Sequence, residues 1–224
     1  MVGVKVCGVT RAADLRAVAD AGADAVGVIA DVSVDTPREV DPSEAASLVA
    51  SAPPFLTTTL VTMPDSPERA VELAEIVQPD VLQLHADFDP DEFRFVRAET
   101  RSRLVAVVPS DEPNRALDLE GAVDAVLVDS VSEDGAGGTG RTHDWERTRE
   151  LAASLPMPLI LAGGLDPDNV ADAVEAVGPY AVDVASGVEA SGGVKDHDAV
   201  RAFVRSAKRA GEAVREDTDS EVAL

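Results

Sequence analysis

The chain has 224 residues, 45% of them hydrophobic, which is enough apolar material for a sizeable core and the length of one α/β barrel or of one to two smaller domains. Its 42 acidic against 19 basic residues leave a formal charge of −23, a balance that argues against nucleic acid and anionic membranes as partners. One cysteine, Cys7, excludes an intrachain disulfide and a cysteine-clustered zinc site, and no stretch approaches the roughly 20 apolar residues of a membrane span.

The N-terminus passes directly into a strand-like run, Val2 to Val6, with no signal peptide, so a cytoplasmic location is expected. From there, short apolar runs alternate with helical stretches. The runs are Val4–Cys7, Ala25–Ala30, Leu56–Val61, Val81–Leu84, Leu104–Val108, Ala125–Val128, Leu159–Leu161 and Ala181–Val184. They are rich in Val and Leu, as strands buried on both faces should be. Between them, Ala12–Ala21 reads as a helix stopped by Gly22, and Pro42-Ser43 opens another. Pro67–Val77 begins at a proline and ends before Pro79, and Asp168–Val177 ends at Gly178-Pro179. Eight strand–helix alternations predict a parallel sheet closed into a single-domain (β/α)8 barrel, a TIM barrel, over residues 1–210. The remaining stretch, 211–224, lacks apolar periodicity and reads as a helix end followed by an acidic tail.

The phrases "AGADAVGV" (21–28), "VQPDVLQL" (77–84), "GAVDAVLV" (121–128) and "GPYAVDVA" (178–185) resemble one another and precede every second strand. They mark either a repeat of two β/α modules or a coincidence in a chain rich in Ala and Val. The acidic excess fits either a disordered protein or a halophilic one. Apolar content and periodicity favour the second, since at molar salt the screening length falls to about 3 Å and a dense acidic surface costs little.

In such a barrel the chemistry lies at the C-terminal ends of the strands. "LAGGLDPDNV" puts Gly163 and Gly164 after strand seven, and "VASGVE" puts Ser186 and Gly187 after strand eight. Glycines there either make tight turns or let backbone N–H groups approach an anion, and the loops after strands seven and eight are the usual phosphate cradle. A small phosphorylated molecule is the expected partner. Strand alternation points Lys5 and Cys7 into the barrel. A lone cysteine can be an inert hydrophobe, but here it ends a strand at the active-site face, where a nearby cation such as Lys5 would lower its pKa unless Lys5 is locked in an ion pair. Asp129, after "AVLV", is either an acid/base or a loop cap. The long loop "SEDGAGGTGRTHDW" resembles a flap, and its glycine spacing is not a dinucleotide fingerprint. His143 and His197 sit near helix starts as surface or capping residues. Only His85 is well placed as a metal ligand, so no metal is expected.

Taken together, "VKVCGVT" (4–10), "TPREV" (36–40), "LQLHA" (82–86), "LVDS" (127–130), "GGTGRTHDW" (137–145), "LAGGLDPDNV" (161–170) and "VDVASGVEASGGVKDHDAV" (182–200) resemble the phosphoribosylanthranilate isomerases of tryptophan biosynthesis, over residues 2 to about 207. The resemblance implies an Amadori rearrangement of an aminoaldose to an aminoketose, with no cofactor. It implies Cys7 as general base, Asp129 as general acid and Arg38 as the partner of the anthranilate carboxylate. It further implies phosphate at Gly163, Gly164, Ser186 and Gly187, and His85 and Asp183 as substrate-lining residues. The chain departs from the family pattern at "VIADVSVD", where aromatics are usual, at Ala86 in place of glycine and at Ala185 in place of serine. The resemblance leaves the oligomeric state open between monomer and homodimer.

Rival readings are another phosphosugar isomerase on the same barrel and a non-catalytic phospholigand-binding barrel. Pentose-phosphate epimerases need several inward metal ligands, and indole-glycerol-phosphate synthases need a catalytic lysine at a strand end. A two-aspartate isomerase, with Asp183 or Asp31 as base, would not need Cys7.

Overall fold

The computed structural model describes residues 1–109, 112–129 and 145–222. Eight parallel strands close in sequence order: β1 (Gly3–Val6), β2 (Ala25–Ile29), β3 (Thr57–Thr62), β4 (Val81–Leu84), β5 (Arg103–Pro109), β6 (Ala125–Asp129), β7 (Leu159–Ala162) and β8 (Ala181–Val184), with β8 pairing back to β1. The helices between them are α1 (Ala12–Asp20), α2 (Pro42–Ala50), α3 (Pro67–Val77), α4 (Pro90–Glu99), α5 (Pro113–Asp118), α6 (Trp145–Ser154) and α7 (Val170–Val177). All eight sequence-predicted strands are present, β4 and β8 with the same ends and the others with ends shifted by no more than one residue. The (β/α)8 barrel is therefore the fold.

Local chemistry explains the helix starts. Prolines open α2, α3, α4 and α5 at their first turn, where a missing N–H costs nothing. Asp89 and Glu92 form a reciprocal capping box on α4, and Ser66 caps α3 by accepting from Arg69 N. The helix expected from Asp168 begins at Val170, because Asp166 Oδ1 first accepts from the N–H groups of Asp168 and Asn169 at 2.8 and 3.0 Å in a tight turn.

Strand alternation separates two apolar regions. The large one lies between sheet and helices and includes Val4, Val6, Leu60, Leu82, Leu84, Phe93, Leu104, Leu161 and Phe203. The small one fills the barrel itself with Val105, Ala125, Leu127 and Ala162. The rest of the interior is polar: Lys5, Gln83 and Asp183 are all buried. An interior filled partly by charge is unusual for a packed barrel core, and it lies directly beneath the C-terminal face.

The sequence repeat has a structural basis at the opposite end. Asp24, Asp80 and Asp124 occupy the same place in three of the four phrases. Each accepts from a backbone N–H of the preceding strand through Oδ2: Val4, Thr58 and Leu104, all at 2.8 Å. The fourth phrase has Tyr180 there, whose ring is exposed.

Two features differ from expectation. A short antiparallel hairpin, β9 (Glu189–Ser191) and β10 (Val194–Lys195), follows β8 after one turn of 3-10 helix at Ser186–Val188. The last helix, α8 (His197–Val222), runs through the boundary expected near residue 210. Gly211 lies inside it because a Cβ there would come within 2.7 Å of Val2 N, so this glycine permits packing on β1 and does not stop the helix. Among the described residues no helix is long and apolar enough to cross a membrane.

Candidate active site

A cavity of about 300 Å³ opens at the C-terminal end of the barrel. Its wall includes Cys7 after β1, Arg38 from the loop after β2, His85 after β4, Asp129 at the end of β6, Gly163 and Gly164 after β7, and Asp183 and Ser186 from β8 and beyond. Residues spread over 180 positions of sequence thus meet because all lie at strand ends on one face. Gly187 does not line it. Its missing Cβ would lie 2.0 Å from Leu165 O, so it lets the loop after β8 close on the loop after β7.

The floor is ionic. Lys5 Nζ donates to Asp183 Oδ2 at 2.8 Å, both side chains being buried. The two residues are register partners across the β1–β8 seam that closes the barrel. Burial is the largest single influence and works against the Lys5 cation, but the charges of Asp183 and Cys7 and their hydrogen bonds together outweigh it, and Lys5 stays above its ordinary value. Lys5 is therefore locked in the ion pair. Asp183 Oδ1 is buried without a hydrogen-bond partner among the described residues, which leaves a buried acceptor beside the cavity.

Cys7 sits directly above. Gly27 makes the room for it: a Cβ on Gly27 would lie 2.9 Å from Cys7 Sγ and 3.1 Å from Lys5 Nζ. Burial pushes the thiol up, and this outweighs the pull of the Lys5 and Lys195 cations. Of the two readings that the sequence left open for Lys5, the buried ion pair is the one present, and it does not lower the thiol pKa because desolvation exceeds the benefit of a lysine already paired with Asp183. Asp129 is also raised, by burial and then by the Asp183 charge, with Lys5 opposing. A carboxyl so placed is kept protonated to higher pH, as a general acid requires. His85 is lowered to about 4 by burial and by Lys5, so it is neutral in the physiological range, and its Nε2 lies 3.2 Å from the Gln83 side-chain nitrogen.

At the rim, Arg38 Nε and Nη2 donate to the two oxygens of Glu189 at 2.9 and 2.8 Å. Glu189 also accepts from the buried Lys195 at 2.8 Å. Aliphatic side chains, Ile29, Val32, Val34 and Met63, form the wall where aromatics are usual in the resembling family. Asp31 turns away from this wall at a positive φ of 57° and pairs with Arg69 at 2.8 Å, so it is not placed as a base. His197 contacts Asp14 Oδ1 at 2.8 Å at the start of α8, away from the cavity. His143 and the flap lie outside the described residues. Among the described residues no group of three or more His, Cys, Asp or Glu is placed to hold a metal.

Three residues escaped the sequence reading: Gly27, Glu189 and Lys195. Gly27 carried a signal, as a lone glycine inside a buried strand marks a close approach. So did Lys195, one of only three lysines in a chain with 42 acidic residues.

A parallel eight-stranded barrel with glycine loops after β7 and β8, and with a thiol and a raised carboxyl across one cavity, defines a barrel enzyme of the acid/base class acting on a phosphorylated molecule. The family model for N-(5'-phosphoribosyl)anthranilate (PRA) isomerase matches residues 4–206. The chain is 63% identical over 214 residues to the N-(5'-phosphoribosyl)anthranilate isomerase of Haloferax volcanii, covering 96% of each. It is 59% identical over 209 residues to that of Halorubrum lacusprofundi, covering 93% of this chain and 98% of the relative. The crystal structure of the phosphoribosyl anthranilate isomerase from Thermotoga maritima superposes with a TM-score of 0.84 at 34% identity, covering 93% of this chain and all of that one. The chain belongs to the phosphoribosylanthranilate isomerase family, and the relatives from halophilic archaea agree with the acidic composition.

Proposed function

We propose that Cys7 and Asp129 carry out the family's reaction as base and acid. The chain is an isomerase of tryptophan biosynthesis, converting N-(5-phosphoribosyl)anthranilate to 1-(2-carboxyphenylamino)-1-deoxyribulose 5-phosphate. Asp129, protonated, donates to the furanose ring oxygen, and the ring opens to a Schiff base as the nitrogen lone pair forms the C=N bond. Cys7, as thiolate, removes the proton from C2′, and the resulting enolamine tautomerises to the ketone. No electrons leave the substrate, so the residues present suffice. The observation that carries this assignment is the shared cavity: thiol and raised carboxyl both line it, beside the β7 and β8 loops.

The loops at Gly163, Gly164 and Ser186 take the phosphate through backbone N–H groups, which fixes the reacting carbons between acid and base, while Gly187, expected from sequence to share this role, instead lets the two loops close on each other. Arg38 takes the anthranilate carboxylate, and His85 and Asp183 contact the sugar. Every group in this assignment comes from one chain, so the site is complete in a monomer and compatible with a homodimer. The expected location is cytoplasmic. Loss of phosphoribosylanthranilate fluorescence with purified protein in molar KCl tests the activity. Arg38→Ala should weaken substrate binding by roughly ten- to a hundredfold, the loss of a charge-assisted bond. An unchanged kcat/KM would remove Arg38 from the site.

A further inference from the structure

We infer that the β9–β10 hairpin is a clamp for the loop after β2 and that Glu189 is the positioning residue for Arg38, which makes this pair the determinant of selectivity for a carboxylated aryl group. The inference rests on Arg38 being the carboxylate partner.

Arg38 sits on a loop that follows β2 and carries no regular structure of its own beyond a single bridge between Ile29 and Glu39. A long side chain on such a loop has many rotamers, and ordering it costs conformational entropy. Three contacts from elsewhere in the chain remove that freedom. The aliphatic stem lies over Gly8, where a Cβ would come within 2.8 Å of Arg38 Cδ. The preceding residue, Pro37, is held by the hairpin turn: Cβ atoms on Gly192 and Gly193 would lie 2.6 Å from Pro37 Cγ and 2.3 Å from Pro37 O. Thr10 anchors the same turn by donating to Gly193 O at 2.8 Å. Finally, the guanidinium is gripped by Glu189 through two parallel bonds, the fork geometry that fixes orientation as well as position.

The charges fit the same role. Glu189 and Lys195 are nearly or fully buried, with side-chain exposures of 5% and 0%, whereas Arg38 retains 25%. Lys195 Nζ also donates to Ala185 O at 3.0 Å, which ties the hairpin to the end of β8. Two cations about one carboxylate leave the cluster with a net positive charge, and Arg38 is its exposed end. With Nε and Nη2 on Glu189, Nη1 is the guanidinium nitrogen that no hydrogen bond among the described residues occupies, and it is the donor for a carboxylate in the cavity. A carboxylate ligand then meets a donor already oriented, and less affinity is lost to ordering on binding.

The test compares two ligands on folded protein in molar KCl: the reduced product, 1-(2-carboxyphenylamino)-1-deoxypentitol 5-phosphate, and the phenylamino compound lacking the carboxylate. Wild type should prefer the first by at least about tenfold. Glu189→Gln should lose most of that preference, with the dissociation constant of the phenylamino compound unchanged within about twofold. In turnover this appears as a raised KM with kcat within about threefold, the signature of lost uniform binding. Glu189→Asp, which keeps the charge, should retain more of the preference than Glu189→Gln. Gly192→Ala keeps every charged group but wedges the turn away from Pro37, and it should show the same selective loss. Full preference in Glu189→Gln, or equal weakening of both ligands in Glu189→Gln and Gly192→Ala, overturns the clamp. If Arg38→Ala itself keeps the preference, the carboxylate assignment falls. If Arg38→Ala loses the preference and Glu189→Gln keeps it, only the clamp does.

Discussion

At the N-terminal end of the barrel Asp24, Asp80 and Asp124 each accept a backbone N–H from the neighbouring strand, all at 2.8 Å. At the C-terminal end Asp129 and Asp183 line a cavity, and Asp183 Oδ1 is buried with no hydrogen-bond partner among the described residues. The same side chain thus bonds the backbone at one end and, under the proposed assignment, serves the substrate at the other. A buried acceptor without a partner costs roughly 1–3 kcal/mol, which the lower end has no reason to bear. The difference shows where stability has yielded to function, and the ionisable floor of Lys5, Asp183 and Cys7 marks the boundary between the two.

The largest effect expected is at Asp129. Asp129→Asn cannot donate the acidic proton and should lower turnover by about 10²- to 10⁴-fold. Stability should move the other way. The folded state raises this carboxyl, so between the unfolded and folded pKa values the native protein binds more protons than the unfolded chain. Stability therefore falls as pH rises through that window, and the penalty is fully present only above the folded pKa. Removing the charge should raise the melting temperature at pH 7 and flatten its pH dependence. A variant that loses both turnover and stability would make Asp129 a structural cap.

Lys5→Met should come next. It leaves Asp183 buried and unpaired, and breaking a buried pair costs about 3–5 kcal/mol. Lys5→Met combined with Asp183→Leu should recover much of the loss in a denaturation titration while leaving turnover low. Failure to recover would mean that the pair is not coupled in the folded state.

Asp80→Ala tests the lower end. It removes bonds from Thr58 N and Thr58 Oγ1 at 2.8 and 2.7 Å, for a cost of about 1–2 kcal/mol, with kcat and KM unchanged. A drop in kcat would erase the distinction between the two ends. The smallest effect concerns the whole surface. With a charge of −23, melting temperature should rise as KCl goes from about 0.1 M to molar levels and the Debye length falls from about 10 to 3 Å. A flat response would contradict halophilic adaptation and leave the site assignment intact.

The barrel was legible because its evidence is local. Strands buried on both faces read as Val- and Leu-rich runs, prolines mark helix starts, and the aspartate phrases recur at every second strand. Strand-end logic likewise brought Cys7, His85, Asp129 and Ser186 to one cavity without any knowledge of distances. What sequence could not weigh was the balance of opposed effects. Sequence left Lys5 open between a cation that lowers the Cys7 pKa and a member of a buried ion pair, because its partner, Asp183, is 178 positions away, and at the thiol burial prevails. The stretch from Gly211 on reads only as a helix end and an acidic tail, because the contact of Gly211 with Val2 is long-range. The hairpin at Glu189–Lys195 escaped notice for the same reason: its role is to hold Arg38, 151 positions earlier.

Replacing the thiol of Cys7 with a hydroxyl tests the central claim most directly. Cys7→Ser keeps the shape but exchanges a group of ordinary pKa about 8.5 for a far weaker acid. Turnover of phosphoribosylanthranilate in molar KCl and affinity for the reduced product should be measured together on folded protein. The account predicts a loss of at least about 10²-fold in kcat with product affinity nearly unchanged, since phosphate and carboxylate contacts lie elsewhere. Near-normal turnover in Cys7→Ser would contradict it and leave Asp183, the one other acidic group in the cavity floor, as the base.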